Sequence, residues 1–420
     1  MNTNYLKFYN FIFEEDHHKW PDPQSRGKNI FTRNKSYKDL IDELDSYQGI
    51  RKLLEVKDVD YKYFENKLLL KKLKIIESSK ENGVFIFTSR RLAKKVYEGC
   101  QKKGILVKGF IDNNEDKWGE LVNELEVHSL DNIDKSEVIF LGTTIYTSTL
   151  LDQLEKAGYC NVVPYSYLTL WDKAVFSSEI PYIGIHSDLI LNKERYFELF
   201  LNLEDDKSRA VLDGIILYRM TLDPRHARNI ADEYASQYFD SSLVEFDSRQ
   251  VFYDIGGYDG DTAYKYKEIS QENYSKIYIF EPENDLLEKA KDRSFDDTKT
   301  FFIPAGMYSK PGTLKFSSSG LTNGFVSEVG DIEIKVEQLD CFSGDTPTFV
   351  KMDIEGSESA ALEGGVKLIQ ENKPLLAIAA YHFGRDLWAL SDQMLSIQKD
   401  YRLYLRHYSE TGLESVIYAK

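Results

Sequence analysis

Cysteine is scarce, three residues in 420, and Cys100, Cys160 and Cys341 show neither paired nor metal-type spacing. That scarcity argues against a disulfide framework, fits a reducing compartment, and leaves the three thiols to be expected as buried small residues. Long apolar runs are missing too. No stretch approaches the roughly 20 residues of a membrane helix, and Asn2, Asn4 and Lys7 stand where a secretion signal would have its apolar core. A cytoplasmic protein without a membrane span is expected. Positive charge is in deficit, with 53 Lys and Arg against 69 Asp and Glu and a formal net charge of −16. A dedicated nucleic-acid binder needs a basic face that releases counterions, so nucleic acid is not an expected partner.

What is present is a globular composition. At 42% apolar content, 420 residues exceed one ordinary core and imply two or three domains. The 28 Tyr and 24 Phe read first as packing and only second as carbohydrate-stacking surfaces. Residues 1–80 have helical spacing, with Ser36 and Asp39 as a capping box ahead of Leu40, Leu44 and Ile50, and a charged helix through Leu68 and Ile76. The adjacent His17 and His18 read as surface residues rather than metal ligands. From Gly83 the pattern alternates strand and helix, which predicts a small parallel α/β domain over 81–170. Its first strand–helix turn, residues 87–92, reads Phe-Thr-Ser-Arg-Arg-Leu and lacks any glycine, so dinucleotide binding is not expected. Arg90 and Arg91 facing a phosphate, with Asp112 on a ribose, is the weaker reading; a scaffold or homo-oligomerisation role is preferred. Residues 171–247 read as a helical linker and lead-in, in which Arg209 and Arg219 read as solvated or paired, with a reach towards the active site as the weaker reading, and 248–420 as the main domain.

Residues 251–262, Val-Phe-Tyr-Asp-Ile-Gly-Gly-Tyr-Asp-Gly-Asp-Thr, run from an apolar strand into a turn with Gly256, Gly257 and Gly260. About 20 residues on, Glu281 ends the next strand, where a carboxylate accepts ribose hydroxyl protons. The layout serves nicotinamide dinucleotides and S-adenosylmethionine alike. Asp254, Asp259 and Asp261 put negative charge where a pyrophosphate would lie, which suits a cationic sulfonium better.

Residues 208–420 resemble the FkbM family of S-adenosylmethionine-dependent methyltransferases. The matching segments are 251–262, 277–283, the Phe-Val-Lys-Met-Asp-Ile-Glu-Gly run within 348–356, 376–382, and 401–408 ending Leu-Arg-His-Tyr, in the family's order. Gly257 and Tyr258 stand where the family usually carries Ala and Asn. More faintly, 81–170 is similar to Rossmann-like modules that precede sugar-modifying enzymes, including Phe-Ile-Asp-Asn at 110–113. The resemblance implies an α/β fold with a class I methyltransferase sheet, mostly parallel with an antiparallel edge hairpin, preceded by a smaller Rossmann-like domain and helical segments.

It further implies a hydroxyl methyltransferase whose acceptor is a small molecule, a nucleotide-linked, lipid-linked or surface-glycan sugar. S-adenosylmethionine would lie against Asp254, Gly256, Gly257, Asp259, Gly260, Thr262, Glu281, Pro282, Ala305 and Gly306. His382 is expected as a neutral imidazole base with Asp353 orienting it, Glu355 beside them and His407 as the next candidate. Lys351 reads as the partner of a carboxylate. No metal is assigned, and magnesium on Asp353, Glu355 and His382 stays open. The stretch 317–324 reads as a loop over the substrate or an ordinary hairpin loop. The rival readings are an NAD-dependent sugar dehydrogenase or epimerase and a non-catalytic cofactor-binding scaffold.

Overall fold

The computed structural model describes residues 46–56, 61–89, 91–176, 185–293, 295, 298–317, 325–326, 332–342 and 344–420. The capping box at Ser36, the His17–His18 pair, Arg90 and residues 318–324 lie outside them. No helix among the described residues is long and apolar enough to cross a membrane.

Helices α1 (Gln48–Glu55) and α2 (Tyr61–Asn82) lead into a six-stranded sheet. Its strands are β1 (Val84–Phe87), β2 (Val107–Ile111), β3 (Leu121–Val122), β4 (Leu125–His128), β5 (Ile139–Leu141) and β6 (Val162–Val163), in the order β3-β4-β2-β1-β5-β6. Helices α3 (Arg91–Lys102) and α4 (Thr147–Ala157) cross between strands. The short apolar strands pair in parallel around β1, as short Val/Ile/Phe runs buried on both faces do.

The connecting region holds α5 (Tyr165–Trp171), α6 (Ile185–Leu191), α7 (Lys193–Asn202), α8 (Asp206–Thr221) and α9 (Pro224–Arg228). Asp205 caps α8 by accepting from Ser208 N. Along α8, Asp213 Oδ1 accepts from Ile50 N at 2.8 Å, which docks α1. Arg219 is buried and paired rather than solvated: its Nη1 donates to Tyr196 Oη at 2.7 Å and to the Gly384 carbonyl at 2.8 Å.

The main sheet has seven strands, β7 (Val251–Ile255), β8 (Lys276–Phe280), β9 (Thr300–Ile303), β14 (Phe349–Met352), β15 (Leu375–Ala379), β16 (Leu403–His407) and β17 (Ser415–Ala419), in the order β16-β17-β15-β14-β7-β8-β9. All neighbours are parallel except around β17, which runs antiparallel to β15 and β16 and forms the expected edge hairpin. A four-stranded sheet, β10 (Gly306–Met307), β11 (Gly312–Ser317), β12 (Phe325–Val326) and β13 (Ile332–Glu337), is inserted between β9 and β14. Helices α10 (Asp261–Ile269), α11 (Asn284–Lys291), α12 (Glu358–Glu363), α13 (Val366–Asn372) and α14 (Asp386–Ile397) complete the domain. Strand order reverses at β7, which lies between β14 and β8, so the crevice for a ligand opens at the carboxyl ends of β7 and β14.

Candidate active site

The five buried residues of β7, apolar except for Asp254, carry the chain to the crevice, and Gly256 turns it at φ +77°. A Cβ at Gly256 would overlap the Asp353 carbonyl oxygen, so the absent side chain lets the ends of β7 and β14 meet. Gly256 and Gly257 N–H both donate to the Phe280 carbonyl, at 3.0 and 2.9 Å, which ties this turn to β8. Gly260, at φ +79°, starts α10 against Ala290 of α11.

Asp254 is fully buried 2.9 Å from Lys351 Nζ. The ammonium directs its hydrogen bonds to the carbonyls of Gly256, at 2.6 Å, and Ile255, at 3.4 Å, so neither Asp254 oxygen receives an aligned hydrogen bond. Burial works to lower Lys351, but Asp254 and Asp353 outweigh it and raise its pKa. At the end of β8, Glu281 accepts from Tyr258 N at 3.0 Å and Glu283 N at 2.8 Å, and burial pushes it up to about 7. Pro282 and Gly306 adjoin, and Ala305 is buried beside them. These groups fit an adenosyl donor: a buried carboxylate with open hydrogen-bonding capacity, an acid ending the second strand, and a close backbone turn. Asp259 departs from the expectation. Its carboxylate and carbonyl are held by Arg293, at 2.7 and 2.6 Å, and so brace α11 instead of facing the crevice. Thr262 stands in the first turn of α10, with its hydroxyl 3.4 Å from Asp261 Oδ1.

Beyond β14 the chain gathers acids around one imidazole. His382, three residues past β15, places Nε2 3.4 Å from Asp353 Oδ1 and 3.2 Å from Glu355 Oε2, and Nδ1 3.2 Å from Glu358 Oε1. Burial pulls this imidazole down, but Glu358, Glu355 and Asp353 outweigh it and hold it well above its ordinary value. This corrects the expectation of a neutral imidazole base: the surrounding acids stabilise the imidazolium. Asp353 also accepts from Tyr238 Oη at 2.7 Å and from Tyr381 Oη at 3.0 and 3.2 Å. Glu355 holds a left-handed backbone, φ +54°, which turns it towards the ring although it lies only two residues from Asp353.

His407 is not brought to this group. It lies fully buried in β16 with Nδ1 2.9 Å from Ser415 Oγ, and burial lowers it to about 4. Its neighbour Arg406 is a structural clamp, donating to Asp240 at 2.6 Å and Asp205 at 2.8 Å. The set left open for magnesium also changes: the ligand atoms that converge belong to Asp353, Glu358 and His382, not Glu355.

Sequence reasoning missed Glu358, Glu414, Tyr238 and Tyr381. Glu414 sits in the β16–β17 connection with Gln237 Nε2 donating to it at 2.5 Å, and burial, with Asp353 nearby, pushes it up to about 7. The signal for Glu358 was its place in the first turn of α12, two residues after the Asp-Ile-Glu-Gly run. Glu414 reads as an ordinary polar turn residue and gave no such signal.

Residues 254–408 match the family model of the methyltransferase FkbM domain. The C-terminal half is an S-adenosylmethionine-dependent methyltransferase domain of the FkbM family. The comparison with curated proteins gave no match. Among solved structures, methyltransferase FkbM from Methylobacillus flagellatus KT is 21% identical with a TM-score of 0.68, over 90% of this chain and 98% of that one. The likeness in fold therefore extends well beyond the methyltransferase domain. Weaker matches are precorrin-6y C5,15-methyltransferase from Geobacter metallireducens GS-15 (14% identity, 44% of this chain and 86% of that one, TM-score 0.28) and Aeropyrum pernix fibrillarin with natively bound S-adenosyl-L-methionine (11%, 44% and 76%, 0.29).

Proposed function

We propose that the methyltransferase domain methylates a hydroxyl of a small acceptor, with a nucleotide-linked, lipid-linked or glycan-precursor sugar as the substrate class. The observation that carries this reading is the acid-lined group at the ends of β14 and β15, joined to the donor turn where Gly256 meets Asp353. S-adenosylmethionine supplies a methyl group on a sulfonium sulfur when bound. Asp254 and Glu281 hold that donor, and Gly256 brings backbone close to it. Asp353, fixed by Tyr238 and Tyr381, takes a hydrogen bond from the acceptor hydroxyl. Glu414 receives the proton, since a carboxyl near 7 suits a base at neutral pH. His382 positions Glu355 and Glu358. The first sheet serves as scaffold and as a surface for self-association, and the protein works in the cytoplasm.

The test is calorimetric titration of S-adenosylhomocysteine, followed by methyl transfer to a panel of nucleotide sugars. Binding to wild type but not to Glu281→Ala is expected, and absence of binding to wild type sinks the donor assignment. Glu414→Gln is expected to keep that binding and to lower kcat about 10²-fold, flattening the neutral limb of the pH–rate profile. An unchanged kcat removes Glu414 as the base.

A further inference from the structure

We propose that Asp353, Glu358 and His382 form a divalent-cation site that holds the acceptor beside the donor turn. The role given to the acceptor rests on the methyltransferase reading above; the cation site itself rests on geometry. Each of the three residues offers one ligand atom, and these atoms lie within 4.8 Å of one another. The spacing lets one ion touch all three once it displaces the proton that the acids hold on the His382 ring, since an imidazole ligates only through an unprotonated nitrogen.

The imidazole provides the second, independent observation. Only 10% of the His382 side chain is exposed, yet neither ring nitrogen makes an aligned hydrogen bond, although carboxylate oxygens stand 3.2–3.4 Å away. A buried imidazole ordinarily has a partner for each nitrogen. Here the nitrogens face oxygens at distances that a ligand set can close upon, and Glu358 is buried more deeply still, at 1% side-chain exposure. Glu358 is also preset: Ile354 N donates to its Oε1 at 2.8 Å, which fixes the carboxyl before any ion arrives.

Charge points the same way. Asp353, Glu355 and Glu358 ring the imidazole, while Asp386 and Glu414 face the group from α14 and the β16–β17 connection. Lys351 is the nearby ammonium, and it is engaged by Asp254 and two backbone carbonyls. The carboxylates thus outnumber the cationic side chains around the site. One imidazole with two carboxylates suits a cation of the manganese type better than magnesium, which favours oxygen alone.

The site lies on the acceptor side of the crevice, because Asp353 both belongs to the set and meets the donor turn through its backbone. A cation there would bind the oxygens of neighbouring hydroxyls, as on a sugar ring, and favour loss of a proton from the coordinated one to a neighbouring carboxylate. The acceptor class deduced is therefore a vicinal diol.

The probe is manganous ion titrated into the full chain, followed by the loss of its free paramagnetic resonance signal. One ion per chain is expected in wild type, with at least tenfold weaker binding in both His382→Asn and Glu358→Gln. Circular dichroism reports whether each variant folds, and His382→Asn keeps the test alive if loss of the Glu358 contacts unfolds the chain. Absence of stoichiometric binding to wild type, or binding unchanged in a folded variant, overturns the site. S-adenosylhomocysteine titrated into the same samples reports separately on the donor. Manganese bound without it leaves the cation site standing and discards the methyl-transfer role.

Discussion

The two parallel sheets are built alike at their central turns and differ in what is left unsatisfied there. After β1, Thr88 N donates to the Ile111 carbonyl at 2.8 Å; after β7, Gly256 N donates to the Phe280 carbonyl at 3.0 Å. Asp112 follows β2 and accepts from Ser89 N and Asn114 N, just as Glu281 follows β8 and accepts from Tyr258 N and Glu283 N. Asp112, however, also receives Ser89 Oγ at 2.7 Å and Lys117 Nζ at 3.0 Å. Burial works to raise Asp112, but Ser89, Asn114 and Lys117 outweigh it and hold it below its ordinary value, whereas Glu281 stands at about 7. The same topology places an acid at the same point twice. Only in the second sheet does that acid lack a side-chain partner, and a ligand-binding acid needs such spare capacity.

The largest contrast should appear in donor binding. Glu281→Ala is expected to weaken S-adenosylhomocysteine more than 100-fold by calorimetry, while Asp112→Ala leaves it within about twofold, a ratio of at least about 50, or about 2.3 kcal/mol. Equal losses would break the comparison. The turns come next. Gly256→Ala adds a side chain at φ +77° against the Asp353 carbonyl and is expected to cost ~2–4 kcal/mol in urea unfolding. Thr88 holds φ +92° without being glycine, so Thr88→Gly should fall within about 1 kcal/mol of wild type as relieved strain offsets added chain entropy.

The pH dependence sharpens the same point. Glu281 is raised in the folded chain from an ordinary 4.5 to about 7, so folding retains its proton between those values. The resulting penalty is absent below pH 4.5, grows as pH rises and is complete above 7, at up to about 1.4 kcal/mol per unit. Asp112, held low, acts in the opposite sense: its stabilisation is present above its ordinary 3.8 and fades as pH falls. Urea midpoints at pH 5 and pH 8 should therefore converge in Glu281→Gln relative to wild type, and a gap of unchanged size would contradict the raised value. The smallest effect belongs to Lys117→Met, which removes a partly exposed ion pair with Asp112 and should cost no more than ~1 kcal/mol.

The sequence made the donor side legible because its residues lie at strand ends fixed by an apolar run and a glycine turn. Asp254, Gly256 and Glu281 could be placed at strand ends from spacing and Lys351 paired from strand alternation, whereas the edge hairpin came with the family resemblance. Asp259 could not, since Arg293 lies two residues past the end of α11 and the pairing exists only once the helices pack. The acid group around His382 was half legible. Asp353 directly follows β14 and His382 lies three residues past the neighbouring β15, but Glu414 enters from the β16–β17 connection. The state of His382 depends on charges drawn from separate segments, which no local pattern records. His407 is separated from the group for a simpler reason: its imidazole is fully buried in β16 against Ser415, where a polar residue reads in sequence like an active-site residue.

The helix before the main sheet carries one more consequence. Arg219 in α8 holds the carbonyl of Gly384, two residues from His382, and Asp205 holds Arg406 in the edge hairpin. The boundary expected at residue 248 is therefore crossed by buried and part-buried hydrogen bonds and is not a clean seam. A chain exchanged or trimmed at that point would keep every acid of the reaction group yet lose the brace behind it. The helix that carries Arg219 therefore belongs with the main sheet, tied to a loop more than 160 positions away.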